Sequence, residues 1–159
     1  MLKQGDKAPP FTLHSTPDQV VSLSDCIDKN VVLIFYPADR SPVCGDEIAL
    51  FNEALPIFRK YNVQLLGISV DSVWSHNAFA KANKIHFPLL ADFEPKGEVC
   101  KAYGVYREKE GSAERALFVI DRKGIIQYSY LSPTGMNLSA DGVLNRLEEM
   151  EKKSETVSH

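Results

Sequence analysis

An uninterrupted apolar run, Val31 to Tyr36, constrains the fold of this 159-residue chain more than any other segment. A strand that is apolar at every position is typical of the centre of an α/β sheet, where helices cover both faces. The run ends before Pro37, and from Cys44 onward apolar residues recur at steps of 4, 3, 4 and 3. That spacing predicts one face of a helix that continues to about Tyr61, with a kink at Pro56.

The rest of the chain alternates strands with helices and then changes its order. After the first helix, the pattern predicts strand Gln64–Val70, helix 72–83 with Asp71 or Ser72 as its N-cap, strand Phe87–Leu90 and helix Pro95–Tyr103. Strands Ala116–Ile120 and Ile125–Leu131 follow as a hairpin around the sequence DRKG, and a last helix covers about residues 140 to 152. The order βαβαβα followed by ββα predicts a thioredoxin-like α/β fold, with a mixed central sheet flanked by helices and an inserted βα segment.

Composition and charge exclude several classes of protein. The hydrophobic fraction of 44% and the charged fraction of 25% are typical of soluble globular chains, and the length suits one domain, predicted over residues 1–153 with a flexible tail over 154–159. The net charge of -3 and the lack of a dense Lys/Arg run argue against nucleic acid or an anionic membrane as a partner. No apolar run approaches the roughly 20 residues of a transmembrane helix, and no signal-peptide pattern is present, so we expect a cytoplasmic protein.

The three cysteines, Cys26, Cys44 and Cys100, are too widely spaced and of the wrong number for a disulfide framework. No CxxC pair is present and the four histidines are scattered, so the pattern predicts no zinc site or other metal centre. Nothing in the pattern predicts a cofactor either. A single thiol with a special environment is the remaining source of cysteine chemistry.

Cys44 has such an environment at the start of the first predicted helix. Ser41 suits the N-cap and Pro42 suits the first helical position, which makes Val43 the second residue and Cys44 the third. The backbone N–H groups there lack intrahelical acceptors and the helix dipole is positive, so a thiol ionises more easily and an anion can bind. Alternatively, Cys44 is a small buried hydrophobe on the apolar face of its helix. The residues alone leave both interpretations open.

Longer motifs favour the reactive thiol. Pro37, Ser41 and Cys44 fit the PxxxTxxC pattern of the peroxiredoxins (the alkyl hydroperoxide reductase and thiol-specific antioxidant family), with Ser for the commoner Thr, and Glu47 follows at the family's spacing. Segments 67–83, 87–105 and 114–128 resemble successive peroxiredoxin blocks in the same order. The resemblance covers most of the chain. It implies a thiol-dependent peroxidase that reduces hydrogen peroxide and organic hydroperoxides.

The resemblance also implies a role for each residue of the motif. Cys44 is the peroxidatic cysteine, whose thiolate becomes a sulfenic acid, and Pro37 shields its pocket. The Ser41 hydroxyl touches sulfur and peroxide, Arg115 near the start of the third block meets the charge on the leaving oxygen, and Glu47 orients Arg115. The backbone N–H groups of Val43 and Cys44 complete the set of oxyanion donors.

No cysteine occupies the usual positions for resolving that sulfenic acid. None follows residue 100, which excludes the C-terminal arrangement of typical two-cysteine relatives, and the positions used by bacterioferritin comigratory protein-like relatives are Ala49 and Ala80. Cys100 is a possible resolving residue, although a core position is its favoured role, and Cys26 is expected to be structural. We therefore expect a one-cysteine or bacterioferritin comigratory protein-like enzyme, recycled by thioredoxin, glutaredoxin or a low-molecular-weight thiol. A homodimer is implied by analogy.

Three other side chains and two alternative functions fit the residues less well. Arg40 is interpreted as a solvent-facing loop residue, His76 as a polar helix residue, and Trp74 as a packing or interface residue. The main alternative function is a peroxide-sensing or chaperone-like switch that uses Cys44 without efficient turnover. A thioredoxin-type disulfide reductase is less favoured, because that chemistry needs CxxC and position 47 is Glu.

Overall fold

The protein is described from a computed structural model that covers residues 1–26, 28–39, 42–132 and 143–150, with only the backbone described over 42–47. The strands are β1 Thr12–Thr16, β2 Gln19–Ser22, β3 Asn30–Phe35, β4 Val63–Ser69, β5 Leu89–Ala91, β6 Tyr106–Arg107, β7 Ser112–Ala113, β8 Ala116–Ile120 and β9 Ile126–Leu131. The helices are α1 Pro42–Glu53, α2 Leu55–Lys60, α3 Val73–Asn83 and α4 Glu98–Ala102, with a 3-10 turn at Leu23–Cys26. Residues 143–150 are also helical, within the longer helix that the sequence predicts.

Seven strands form one mixed sheet in the order β2-β1-β5-β4-β3-β8-β9, and β6 pairs with β7 separately. Strand β3 is parallel to β4, and β4 is parallel to β5. Strands β8 and β9 form the predicted hairpin, and β8 runs antiparallel to β3. The predicted mixed sheet is therefore confirmed, with the apolar strand of the sequence at its centre.

Strand β3 contributes to two hydrophobic cores, one on each face of the sheet. Val31, Leu33 and Phe35 belong to the first core, whereas Val32 and Ile34 belong to the second. Because successive side chains of a strand point to opposite faces, a central strand must be apolar at every position. This two-sided burial confirms the interpretation of the run.

The kinked helix predicted to reach about Tyr61 is two helices. Helix α1 ends at Glu53 and α2 begins at Leu55, with Ala54 as its N-cap and a proline in its first turn. A proline near a helix start is well tolerated, whereas in a helix interior it lacks the N–H for the ladder and clashes with the preceding turn. Pro56 therefore marks the start of a new helix.

Helix α4 begins later than predicted, at Glu98 in place of Pro95. The Asp92 carboxylate accepts the backbone N–H groups of Val99 at 3.1 Å and Cys100 at 2.8 Å, so this buried side chain satisfies the first turn. Gly104, predicted to follow the helix, has a φ of 73°. None of the described helices is long and apolar enough to span a membrane.

Candidate active site

Three parallel strands end at the same edge of the sheet, and each is followed by a polar residue. Strand β3 leads through Tyr36 to Asp39, β4 leads to Asp71, and β5 leads to Asp92. In α/β sheets, ligands bind outside the carboxyl ends of the strands, where the connecting loops meet the helices. The candidate active site lies at this edge.

Helix α1 begins at this edge with Pro42, as predicted, so Cys44 is its third residue. The position gives Cys44 the unpaired backbone N–H groups and positive dipole of a helix start. The side chains of Val43, Cys44 and Glu47 are not described, and Arg40 and Ser41 lie outside the described residues. Their roles stay predictions.

Arg115 is brought to the same edge by strand pairing. Strands β3 and β8 are antiparallel, and Phe35 lies opposite Ala116. Arg115 precedes Ala116 and Tyr36 follows Phe35, so Arg115 lies opposite Tyr36. Arg115 is partly buried, its Nη1 atom is shielded from solvent, and its carbonyl accepts the N–H of Ser132 at 2.9 Å. Adjacent strands are about 5 Å apart, which places the backbone of Arg115 beside the loop that leads to Cys44.

Pro37 begins that loop at a bend and is partly buried. The residue before it, Tyr36, is fully buried and donates its backbone N–H to the carbonyl of Ile68 at 3.1 Å. The loop therefore leaves the sheet from a fixed point. Pro37 and Arg115 lie at one sheet edge, as the predicted site requires.

A buried hydrogen-bonded cluster lies beneath the loop, and the sequence analysis did not predict it. His76 and Asp39 are each 1% exposed, and the His76 Nδ1 atom lies 2.9 Å from Oδ1 and 2.8 Å from Oδ2 of Asp39. The Tyr36 hydroxyl donates to Asp39 Oδ1 at 2.6 Å, and the Ser75 hydroxyl donates to Asp39 Oδ2 at 2.8 Å. His76 lies on α3, as interpreted, but it is buried, faces inward and joins α3 to Asp39.

Both ring nitrogens of His76 face oxygen atoms. Its Nε2 atom lies 3.0 Å from the carbonyl oxygen of Leu90, which can only accept, so Nε2 carries a hydrogen. Burial raises the pKa of Asp39, but hydrogen bonds and charge from His76, with hydrogen bonds from Tyr36 and Ser75, outweigh it and hold the pKa below its ordinary value. Asp39 is therefore a carboxylate at neutral pH, and its oxygens face the Nδ1 atom of His76.

Asp71 connects the cluster to strand β4. Its Oδ2 accepts the backbone N–H of Asp39 at 2.9 Å and the hydroxyl of Ser69 at 2.6 Å. Ser72, one of the two predicted N-caps of α3, accepts the N–H of Ser75 at 3.2 Å and confirms that assignment. The loop is thus held through both its backbone and a side chain.

Spacing alone would allow a metal ion at this cluster, since Asp39, Asp71 and His76 offer ligand atoms within 4.8 Å of one another. Both ring nitrogens of His76 are already directed at protein oxygens, Asp39 and Leu90. A metal ligand needs an unprotonated nitrogen with a free lone pair. The donor set fits a hydrogen-bonded cluster and does not fit a metal.

Two cysteines other than Cys44 are buried free thiols. Cys100 is 0% exposed within the first core, and burial, reinforced by the nearby Asp92, raises its pKa well above its ordinary value. Cys26, at the end of the 3-10 turn, is also buried, and burial raises its pKa. Trp74 is 68% exposed, so it does not pack within the described chain.

Comparisons with known proteins agree with this geometry. The model of the AhpC/TSA family matches residues 4–129. A chloroplastic 2-Cys peroxiredoxin BAS1 from Hordeum vulgare is 37% identical over 166 residues, which cover 96% of this chain and 78% of that protein. Alkyl hydroperoxide reductase E from Mycobacterium tuberculosis is 39% identical over 136 residues, which cover 85% of this chain and 89% of that protein. The crystal structure of Enterococcus faecalis AhpC superposes with a TM-score of 0.88 at 30% identity, covering 98% of this chain and 96% of that one.

The fold and these matches define a peroxiredoxin, a thiol-dependent peroxidase that reduces peroxides through a cysteine. The chain belongs to the AhpC/TSA family. The predicted thioredoxin-like fold and the predicted enzyme class are confirmed.

Proposed function

We propose that this enzyme reduces hydrogen peroxide and organic hydroperoxides with Cys44 as the peroxidatic residue. The Cys44 thiolate attacks the terminal peroxide oxygen, and an S–O bond forms as the O–O bond breaks. Sulfur loses two electrons and becomes a sulfenic acid, while the departing oxygen takes a proton and leaves as water or an alcohol. The observation that carries this assignment is that α1 begins at Pro42, which makes Cys44 its third residue, at the edge that also holds Arg115.

Thiolate formation alone does not account for an efficient peroxidase. A free thiol is already a few per cent ionised at neutral pH, so complete ionisation accelerates attack by at most about 30-fold. A preorganised donor to a developing oxyanion contributes roughly 100- to 1,000-fold. We therefore assign stabilisation of the departing oxygen to Arg115, the Ser41 hydroxyl and the N–H groups of Val43 and Cys44.

Two further residues support this group of donors in the proposal. Pro37 shields the thiol from water, in keeping with its partly buried position at the bend that follows β3. Glu47 orients the Arg115 guanidinium, which has a buried Nη1 atom at this edge. A carboxylate that fixes a planar guanidinium limits its motion and preserves its donor geometry.

We further propose that an external thiol, either a protein of the thioredoxin or glutaredoxin type or a low-molecular-weight thiol, recycles the sulfenic acid. The support is the fully buried position of Cys100 and the presence of Ala49 and Ala80 where bacterioferritin comigratory protein-like relatives carry a resolving cysteine. The enzyme is thus assigned to a one-cysteine or bacterioferritin comigratory protein-like subgroup. Cys100 is the alternative resolving residue.

A homodimer and a cytoplasmic location complete the proposal. Exposed apolar side chains at Trp74 on α3 and at Tyr130 and Leu131 on the edge strand β9 support self-association. The buried free thiols of Cys26 and Cys100 suit a reducing compartment. Light scattering of the purified protein tests the dimer, and fluorescence microscopy of a tagged protein in its host tests the location.

Peroxide consumption with an excess of small dithiol tests the catalytic proposal. Sustained turnover, many equivalents of peroxide per enzyme, is expected of the peroxidase. A single equivalent consumed and no further turnover would instead fit a redox switch that uses Cys44 without efficient catalysis.

A further inference from the structure

We propose that His76 is a positioning residue for peroxide reduction, which fixes, through Asp39, the loop that joins Pro37 to the helix of Cys44. The inference rests on the proposed role of Cys44. His76 does not contact the reacting atoms in this proposal. It acts on the site through the backbone of the loop.

The segment that joins Pro37 to the start of α1 is short. Asp39 lies two residues after Pro37 and three residues before Pro42, where α1 begins. A chain of this length has little slack, since each residue spans at most about 3.5 Å. A displacement of Asp39 is therefore transmitted to the proline that shields the pocket and to the first turn of the Cys44 helix.

Asp39 is held from three elements at once. The Tyr36 hydroxyl binds it from the end of β3, Ser75 and His76 bind it from α3, and Asp71, which follows β4, accepts its backbone N–H. His76 is in turn fixed by the carbonyl of Leu90 in β5. The loop follows β3, and β5 lies two strands away from β3 in the sheet. His76 thus connects the loop to β5.

Stability alone does not explain this cluster. Burying an ionisable pair carries a desolvation cost, and well-packed apolar residues of similar volume are often equally or more stabilising. Polar clusters of this kind instead fix one arrangement of the backbone, because each donor must face its acceptor. Peroxide reduction benefits from such a constraint, since a misplacement of about 1 Å at a reacting centre can reduce a rate by about 100-fold.

Two substitutions of His76 separate its two contacts. The amide of Asn in His76→Asn overlaps the Nδ1 position and keeps a donor to Asp39, while the contact with Leu90 is lost. The longer side chain in His76→Gln overlaps the Nε2 position and keeps a donor to Leu90, while the contact with Asp39 is lost. Each variant removes the imidazole and one of these two contacts, so each is the matched control of the other.

The measurement is the second-order rate constant of each variant with hydrogen peroxide, alongside thermal unfolding and alkylation of Cys44 by iodoacetamide. We expect at least about a tenfold loss of the peroxide rate in His76→Gln and less than about a threefold loss in His76→Asn, with alkylation changed by less than about threefold in both. A purely structural role would lower the two peroxide rates together with the melting temperatures. The proposal is overturned if the loss of peroxide rate in His76→Gln is less than about three times the loss in His76→Asn.

The reference for these assays is Cys44→Ser. Retained peroxidase activity in that variant would refute the role of Cys44, whereas equal rates in the two His76 variants with an inactive Cys44→Ser refute only the positioning role. If His76→Gln fails to fold, Asp39→Ala and Asp39→Asn make the same comparison from the loop. Asparagine keeps an oxygen that can accept from Tyr36 and His76, whereas alanine keeps none, so the same threefold criterion applies to the excess loss in the alanine variant.

Discussion

The backbone N–H of Cys100 donates to Oδ2 of Asp92 at 2.8 Å, which holds a buried carboxylate beside the thiol at the start of α4. A helix start normally lowers the pKa of a thiol. Here burial of the thiol and the charge and hydrogen bonding of Asp92 act in the opposite direction and raise the pKa of Cys100. Cys100 is therefore a protonated core thiol, and its position in a helix does not make it reactive.

We accordingly predict that Cys44 forms no intramolecular disulfide during turnover. Reduced protein is treated with one equivalent of peroxide under non-denaturing conditions, and the products are mapped by mass spectrometry. A dimedone-trappable sulfenic acid at Cys44, which a small thiol converts to a mixed disulfide, is the expected product. Rapid and quantitative formation of a Cys44–Cys100 link within one chain would make Cys100 the resolving residue. Cys100→Ala serves as the control, because it cannot form that link.

A second prediction concerns the division of roles between cysteines. Cys44→Ser should abolish peroxidase activity, because a serine hydroxyl is not ionised at neutral pH and cannot form a sulfenic acid. Cys26→Ser should largely preserve activity, since Cys26 is buried at the end of a 3-10 turn and belongs to the first core. Peroxide consumption by both purified variants is compared with the parent. Parental turnover in Cys44→Ser would contradict the central assignment.

The third prediction separates two possible actions of Arg115. In Arg115→Lys the charge remains, but the planar fork of donors is lost. Contacts to the departing oxygen should suffer more than ionisation of the thiol, so we expect the peroxide rate constant to fall by at least about tenfold. The pKa of Cys44, measured by pH-dependent alkylation, should change by less than about one unit. A larger pKa change that accounts for the whole loss of rate would show that Arg115 acts on the ground-state thiolate.

The features that the sequence predicted depend on local patterns. The run at Val31–Tyr36 was informative because a strand buried on both faces cannot tolerate polar residues, and the Ser-Pro pair located the start of α1 because proline suits the first helical turn. The β1–β2 hairpin was missed. Strand β1 carries mostly polar residues, and neither β1 nor β2 is fully buried, so no apolar pattern indicates this hairpin.

The features that were missed at the site depend on contacts between distant residues. Asp39 and His76 are 37 residues apart, and nothing in the sequence around His76 distinguishes a buried ring from a solvated one. The late start of α4 has a similar cause, because Asp92 supplies the capping oxygens from several residues upstream. One signal was available: an aspartate follows each of three predicted strands of a parallel arrangement within three residues, and such strand ends meet at one edge.

The last prediction concerns how the free energy of unfolding depends on pH in acid. The folded-state pKa of Asp39 is below the ordinary value of 3.8, because hydrogen bonds and charge from His76, with Tyr36 and Ser75, outweigh the opposing effect of burial. A carboxyl group with a lowered pKa contributes stability that is present above its unfolded pKa and is lost as the pH falls through the folded pKa. His76→Asn keeps a donor to Asp39 but removes the charge, so burial is less opposed and the folded-state pKa should rise.

Urea unfolding of the parent and of His76→Asn between pH 5 and about pH 2 gives the free energy of unfolding at each pH. The slope of that free energy against pH is compared between the two proteins. We expect the free energy of unfolding to fall more steeply with acid in the parent than in His76→Asn, because ionisation of Asp39 stabilises the parent more. This pH range includes the ordinary aspartate pKa of 3.8, so it covers the titration of Asp39. Carbon-13 titration of the Asp39 carboxyl group provides the direct check. Equal acid slopes, with an unchanged Asp39 titration in the variant, would show that His76 does not hold that carboxylate in its ionised form.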